Sequence, residues 1–448
     1  MVQDPRLAIQ RGPMARLQVA VVALCIALNA IDGFDVLAIS FAAPGIATEW
    51  GIDRAVLGVV LSMELVGMAL GSVLIGNLAD RVGRRPVILG CLVAMTLGMY
   101  LAAFADSVAA LSATRLFTGL GIGGMLSSTS AMVAEFSSDR RRNLNVVLNI
   151  AGYSAGAVVG GLVAATLLER TGEWRSVFLL GAAATTVLLP LVYVCMPESI
   201  ESQIARRPRG ALEGVNRTLR RLGMAPVDVL PAADAHVAKA SFGALFSSAY
   251  ARPTILLTVA YFAQIMAFYF IQKWTPKLLV DMGFEAASAG RVLVFVNIGC
   301  VIGAVAMGLA SQRMRLQPLV VGAMVLSFAT IASYGLLPHE LAWFSAVAVL
   351  AGFFTNASVV GMYPVLVRTY PALLRAGGTG FVIGVGRGGS VVGPIAAGGL
   401  LAGGSALLVV STTMGAGALV AATMLVLLGR LRVGREADAA GQASETAG

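Results

Sequence analysis

The chain has 448 residues, of which 58% are hydrophobic and 12% charged, with a mean hydropathy of +0.84. That excludes an ordinary soluble domain, where charged residues make up about 25%. The net charge of +9 would suit nucleic acid, but the basic residues follow the loops of a membrane topology, so no nucleic-acid partner is expected. At about 20 apolar residues per span, the length holds roughly a dozen membrane helices, which predicts an all-α polytopic protein of the lipid bilayer.

The first span runs from about Leu17 to Pro44 and carries two acids, Asp32 and Asp35. A charge at mid-bilayer costs about 2.5 to 3.5 kcal/mol, so such acids face a cavity or protein and serve function. Asn29, Asp32 and Asp35 step by three, which sets them on one helical face. The second span covers about 55–79 and holds Glu64, after which comes the loop Gly76-Asn77-Leu78-Ala79-Asp80-Arg81-Val82-Gly83-Arg84-Arg85. Spans three and four follow near 86–104 and 107–134, then a basic turn with Arg140, Arg141 and Arg142, then spans five and six near 146–168 and 174–195.

Composition shifts between Pro197 and Arg252, where arginines and prolines concentrate. Leu212, Val215, Leu219 and Leu222 recur at helical spacing opposite Arg217, Arg220 and Arg221. The pattern suits a helix lying on an anionic membrane surface or, equally, a solvated linker. Six further spans are expected near 253–274, 289–310, 318–337, 341–364, 378–402 and 405–428, before a polar tail. The expected organisation is therefore a terminus at 1–16, a six-helix bundle at 17–196, a central loop at 197–251, a second bundle at 252–428 and a tail at 429–448.

Under this layout the inner segments carry 24 Lys and Arg and the outer ones five, a bias that sets both termini inside. No removable signal peptide is read at the amino end. Arg115, Lys273 and Arg387 fall within spans and become site candidates. A weak internal repeat supports two halves: Gly76 and Arg81 match Gly308 and Arg313 at an offset of 232, and Arg142 and Gly160 match Arg375 and Gly393 at 233. Duplicated helical halves around a midplane site are a transporter design.

Cys25, Cys91, Cys195 and Cys300 all lie in apolar runs, as core thiols do, and His236 and His339 fall in loops without ligand-like neighbours. No metal, cofactor or disulfide is expected. No nucleophile–base constellation marks an enzyme. A membrane sensor would add an output domain, which neither the central loop nor the tail is large enough to suggest.

Gly76-x-x-x-Asp80-Arg81-x-Gly83-Arg84-Arg85 resembles the signature loop of the major facilitator superfamily, and Arg115-x-x-x-Gly119-x-Gly121-x-Gly123 resembles its fourth-helix motif. Asp32-Gly33-x-Asp35 followed by Ala43-Pro44 further resembles the aromatic acid:proton symporter family within it. The resemblance implies two pseudo-symmetric six-helix bundles and proton-driven import of an aromatic carboxylate such as benzoate, hydroxybenzoate or a related lignin-derived acid. It also implies a bacterial inner-membrane location and a protein that works as a monomer. A proton-driven efflux antiporter is the alternative within transport.

Asp32 and Asp35 suit alternate protonation, because burial and a neighbouring like charge both favour the neutral acid. Arg115 lies roughly 12 Å from the outer end of its span at about 1.5 Å per residue, deep enough to meet them. It is expected to pair with the aspartates and to be freed for the substrate carboxylate when one is protonated. Glu64 and Arg387 sit at similar depth, and the superfamily faces their helices across the halves, so an ion pair between them is expected. A competing reading gives Arg387 to the substrate as a two-pronged donor. Asp80 is expected to accept from the backbone amides opening the eleventh span around Gly377 to Gly380. With Arg81, Arg84 and Arg85, and with Glu135 and Arg142 by family analogy, it would form an inner gate. Gln264 and Tyr269, with Asn297, Asn356 and Tyr363, are expected to line the substrate site, while Lys273 and Trp274 are expected as interfacial anchors.

Overall fold

The computed structural model describes residues 4–231 and 242–445, so His236 lies outside the described residues. Those described form helices and short 3-10 turns, with no strand among them, and twelve helices are long and apolar enough to cross a membrane. The chain opens with a short α1 (Pro5–Arg11) and then α2 (Arg16–Trp50), α3 (Arg54–Val82), α4 (Arg84–Ala103), α5 (Val108–Glu135), α6 (Asp139–Thr171) and α7 (Arg175–Cys195). The central segment adds α8 (Ile200–Arg206) and α9 (Ala211–Arg221). There follow α10 (Ala251–Asp281), α11 (Ala286–Arg313), α12 (Leu316–Ser333), α13 (Leu341–Thr369), α14 (Ala372–Gly386), α15 (Gly388–Ala402) and α16 (Leu407–Glu445).

Two compact units emerge. One comprises Met1–Val237 with Pro276–Val294, the other Ala238–Thr275 with Phe295–Gly448. Within the first, glycines let helices cross backbone to backbone. A Cβ on Gly156 would lie 1.7 Å from the Ala30 carbonyl oxygen, and one on Gly33 1.9 Å from that of Tyr153, so α2 and α6 meet without side chains between them. Gly67, Gly71, Gly119 and Gly123 join α3 to α5 in the same way. Turns are fixed by local chemistry: Asp53 caps α3 by accepting from the Val56 amide at 2.7 Å, and Ser107 caps α5 through the Ala110 amide at 3.3 Å. Gly83, in the signature loop, has φ of 121°, a conformation open to glycine alone. A side chain there would also strike Glu198.

Three expectations change. The eleventh span is broken at Arg387, which closes α14 and opens α15; the surrounding Gly384, Gly386, Gly388 and Gly389 give the helix little to resist a break. The amphipathic central helix exists as α9, but neither membrane nor solvent covers its apolar face. Val215, Leu219 and Leu222 pack with Ile9 of α1 and with Ile200 and Ile204 of α8, while Arg217, Arg220 and Arg221 stay exposed. Lys273 and Trp274 are fully buried rather than interfacial, because α10 continues through Pro276 to Asp281. The Trp274 indole donates to the Pro394 carbonyl at 3.1 Å, the partner that a buried indole N–H requires. The four cysteines are free thiols, three of them buried.

Candidate functional site

In the first unit α2, α3 and α5 bring three charged side chains together, each fully buried. Arg115 donates through Nη2 to Asp35 Oδ1 at 2.7 Å and to the Asp35 carbonyl at 3.1 Å. The same nitrogen donates to Glu64. Its other arm, Nη1, lies 3.2 Å from Met99 Sδ on α4, and the guanidinium stands 5.3 Å from the centre of the Phe178 ring on α7. A planar cation with forked donors can serve several acceptors while stacking on an aromatic face, which an ammonium cannot do.

Asp32, three residues before Asp35, is also fully buried. Neither of its carboxylate oxygens has a hydrogen-bond partner among the described residues. The first unit thus sets two carboxylates, Asp35 and Glu64, on one guanidinium, with Asp32 one turn earlier on α2 and outside that cluster. An uncompensated buried charge costs several kcal/mol, and carrying a proton removes that cost. Asn29, on the same stripe, donates to the Asn149 carbonyl of α6 at 2.6 Å. The side-chain oxygens of Asn29 and Asn149 are both buried and unpartnered, so the surroundings of Asp32 are rich in acceptors.

The sequence-derived candidates therefore meet in part. Asn29, Asp32 and Asp35 share a buried face as the spacing predicts, yet Arg115 engages Asp35 and leaves Asp32 alone. Glu64, expected opposite Arg387, finds its partner Arg115 inside its own unit. Depth along the axis is readable from sequence, whereas the rotation of α3 that aims Glu64 at α5 is not. Met99, Asn149 and Phe178 were not singled out. Asn149 is an amide in an apolar run, the signal that would have found it.

In the second unit Gln264 is fully buried on α10. Its amide nitrogen donates to the Thr355 carbonyl of α13 at 3.4 Å, and its Oε1 has no partner among the described residues. One turn away the hydroxyls of Tyr261 and Tyr363 are 3.3 Å apart. Gly386 leaves room for the Tyr261 ring, whose Cδ1 lies 2.5 Å from where a Cβ would stand. Arg387, at the break between α14 and α15, is the next residue along the chain. Tyr269 is half-buried and meets Phe268 edge to face. Asn297 is engaged by Gln272 in a reciprocal amide pair, both bonds 3.2 Å, and Asn356 donates to the Cys300 carbonyl at 2.7 Å. Both asparagines tie helices of the second unit together.

A second charged cluster sits where α3, α4, α5 and the central segment converge. Arg84 Nε donates to Glu135 at 2.8 Å, and the Ser199 hydroxyl donates to the other Glu135 oxygen. Glu198 accepts from the Arg84 amide at 2.9 Å and the Arg85 amide at 3.4 Å. It thereby caps α4 from far along the chain. Arg85 reaches the Tyr193 carbonyl at 2.7 Å, and Arg206 the Val82 carbonyl at 2.6 Å. Asp80, expected to cap the eleventh span, has a side chain 71% exposed and its ion partner is Arg84 at 3.7 Å, one turn on. Arg81 is exposed and Arg142 half-buried.

The family model of the Major Facilitator Superfamily matches residues 24–339. The 4-hydroxybenzoate transporter PcaK of Pseudomonas aeruginosa is 32% identical over 398 residues, covering 87% of this chain and 88% of that protein. The gallate transporter of Pseudomonas putida is 30% identical over 428 residues, 95% of each chain. Among solved structures, a bacterial homologue of the human lysosomal transporter Spinster superposes with a TM-score of 0.71 at 17% identity, covering 93% of this chain and 97% of that one. The last likeness shows the fold.

Proposed function

The chain belongs to the major facilitator superfamily, and from that premise we propose that it imports an aromatic carboxylate together with protons by alternating access of its two helical halves. The observation that carries proton coupling is Asp32, a carboxylate sealed from solvent with both oxygens unpartnered, beside Asp35, Glu64 and Arg115. A proton-coupled carrier must take up and release a bound proton in each cycle, and an acid already held by a salt bridge resists that exchange. Asp32 is not so held. Asp35 and Glu64 fix Arg115, and protonation of either releases guanidinium donors toward a substrate carboxylate.

The substrate class rests on the aromatic acids that the relatives' names give and on the aromatic and amide groups of the second unit. Within the second unit Gln264 and Tyr269 offer groups that orient a ring and Arg387 a donor for a carboxylate, with Asn297 held in the wall by Gln272; within the first, Arg115 and Asn29 stand on the helices of the buried acids. Arg81, Arg84, Arg85, Glu135, Arg142 and Asp80 form the inner gate. The asymmetry of basic residues supports both termini on the cytoplasmic side, and the proposal takes the protein to work as a monomer in a bacterial inner membrane.

Vesicles loaded with the purified protein supply the test. Labelled benzoate and hydroxybenzoates should accumulate under an imposed inward proton gradient, and a protonophore should abolish accumulation. Uptake indifferent to the gradient removes proton coupling; extrusion driven by the same gradient favours the antiporter.

A further inference from the structure

The start of α12, the end of α13 and the stretch of α16 around Arg430 line a groove of about 960 Å³ on the second unit. Its rim holds Arg315, Arg368 and Arg430, and its wall includes Val321, Val365 and Val426. The three arginines are exposed, and none has a carboxylate within ion-pair distance among the side chains described, which end at Leu431. Like charges gathered at one rim without counter-ions repel, and an anion relieves that repulsion. Arg315 is the N-cap of α12 and supplies no side-chain cap, so the amides of the first turn add positive potential at the same place.

The level matters as much as the charge. Arg368 stands in the last turn of α13, and Arg430 is next to the last residue of the apolar segment Leu407–Leu431. These are the positions at which helices leave hydrocarbon for headgroups. Val426 is exposed and Val321 partly so, over the buried Val365, an apolar wall that a free anion has no use for. Gln317 fixes the wall by donating to the Leu425 carbonyl at 2.5 Å, and Gly429 makes room for that side chain.

We propose that this groove binds an anionic phospholipid, the phosphodiester held by Arg315, Arg368 and Arg430 and one acyl chain lying along the valine wall. A zwitterionic lipid would present its ammonium to the same arginines and lose most of the attraction. The groove shares no lining residue with the substrate and proton groups named above.

Native mass spectrometry of the full-length protein, delipidated and exposed to equal phosphatidylglycerol and phosphatidylcholine, tests this directly. Wild type should retain phosphatidylglycerol in preference, by about fivefold for each arginine engaged. The triple variant Arg315→Gln, Arg368→Gln, Arg430→Gln should fall to near parity. Gly322→Trp, which fills the groove where no neighbour stands within 4 Å and keeps every charge, should also lose the bound lipid. Equal retention of the two lipids by wild type overturns the proposal, whether or not the variants fold. So does an unchanged preference in the triple variant, or full displacement by millimolar inorganic phosphate, which would mark a free-anion site.

Discussion

The two halves share a scaffold and differ in chemistry. Gly67 and Gly71 of α3 touch the carbonyls of Leu116 and Leu120, and Gly299 and Gly303 of α11, each 232 residues later, touch those of Val349 and Phe353. Gly156 meets the Ala30 carbonyl and Gly389, 233 later, meets that of Phe262. The backbone crossings are thus repeated almost residue for residue, but the buried charges are not. At the same offsets Asp35 becomes Ala267, Glu64 becomes Val296 and Arg115 becomes Ala348, while Asp32 becomes Gln264. Both Asp32 and Gln264 present a buried acceptor with no partner. Close helix packing therefore imposes no particular side-chain chemistry at these positions. One half buries an unpartnered carboxylate at this position; its repeat buries an unpartnered amide oxygen.

The largest expected effect breaks this difference. Arg115→Ala strands Asp35 and Glu64 without their cation, and loss of one member of a buried ion pair costs about 3–5 kcal/mol. Transport should be lost and the melting temperature should drop, whereas Ala348→Gly at the repeat position should change melting little. Next come the shared crossings. Gly156→Val and Gly389→Val should each destabilise by about 1–3 kcal/mol or more, since both drive a side chain into a carbonyl. Similar losses in thermal melting would confirm that packing is duplicated, and a large difference would undercut the repeat.

Smaller effects sharpen the contrast at Gln264. Gln264→Met keeps volume but removes the acceptor, so discrimination between hydroxybenzoates and their fluorobenzoate isosteres should shrink about tenfold. Competition for labelled uptake measures this ratio within one variant, free of differences in expression. The smallest effect concerns Glu198, whose capping of α4 should be worth about 1 kcal/mol in thermal melting when replaced by Ala.

Much of this was legible in the sequence because hydropathy and spacing determine it. The twelve spans, the buried face of Asn29, Asp32 and Asp35, and the depth of Arg115 all follow from period and length. What was not legible depended on rotation or on cover. Glu64 has the same depth whichever helix it faces, so its pairing with Arg115 needed the packed structure. Lys273 and Trp274 read as interfacial because Pro276 suggested a helix end, yet α10 carries the proline without stopping. The leucines of α9 form the same stripe whether lipid or α8 covers them, and only the tertiary contact with Ile200 and Ile204 decides. Asn297 reads as a lining amide, and nothing local reveals that Gln272 satisfies it.

The central claim, that Asp32 carries the coupled proton, is tested most directly by Asp32→Asn, which fills the same space and cannot exchange a proton. Proteoliposomes containing this variant should no longer accumulate labelled aromatic acid under an inward proton gradient, yet should still exchange it between equal concentrations on the two sides. Accumulation at the wild-type level, with the wild-type dependence on pH, would contradict the account.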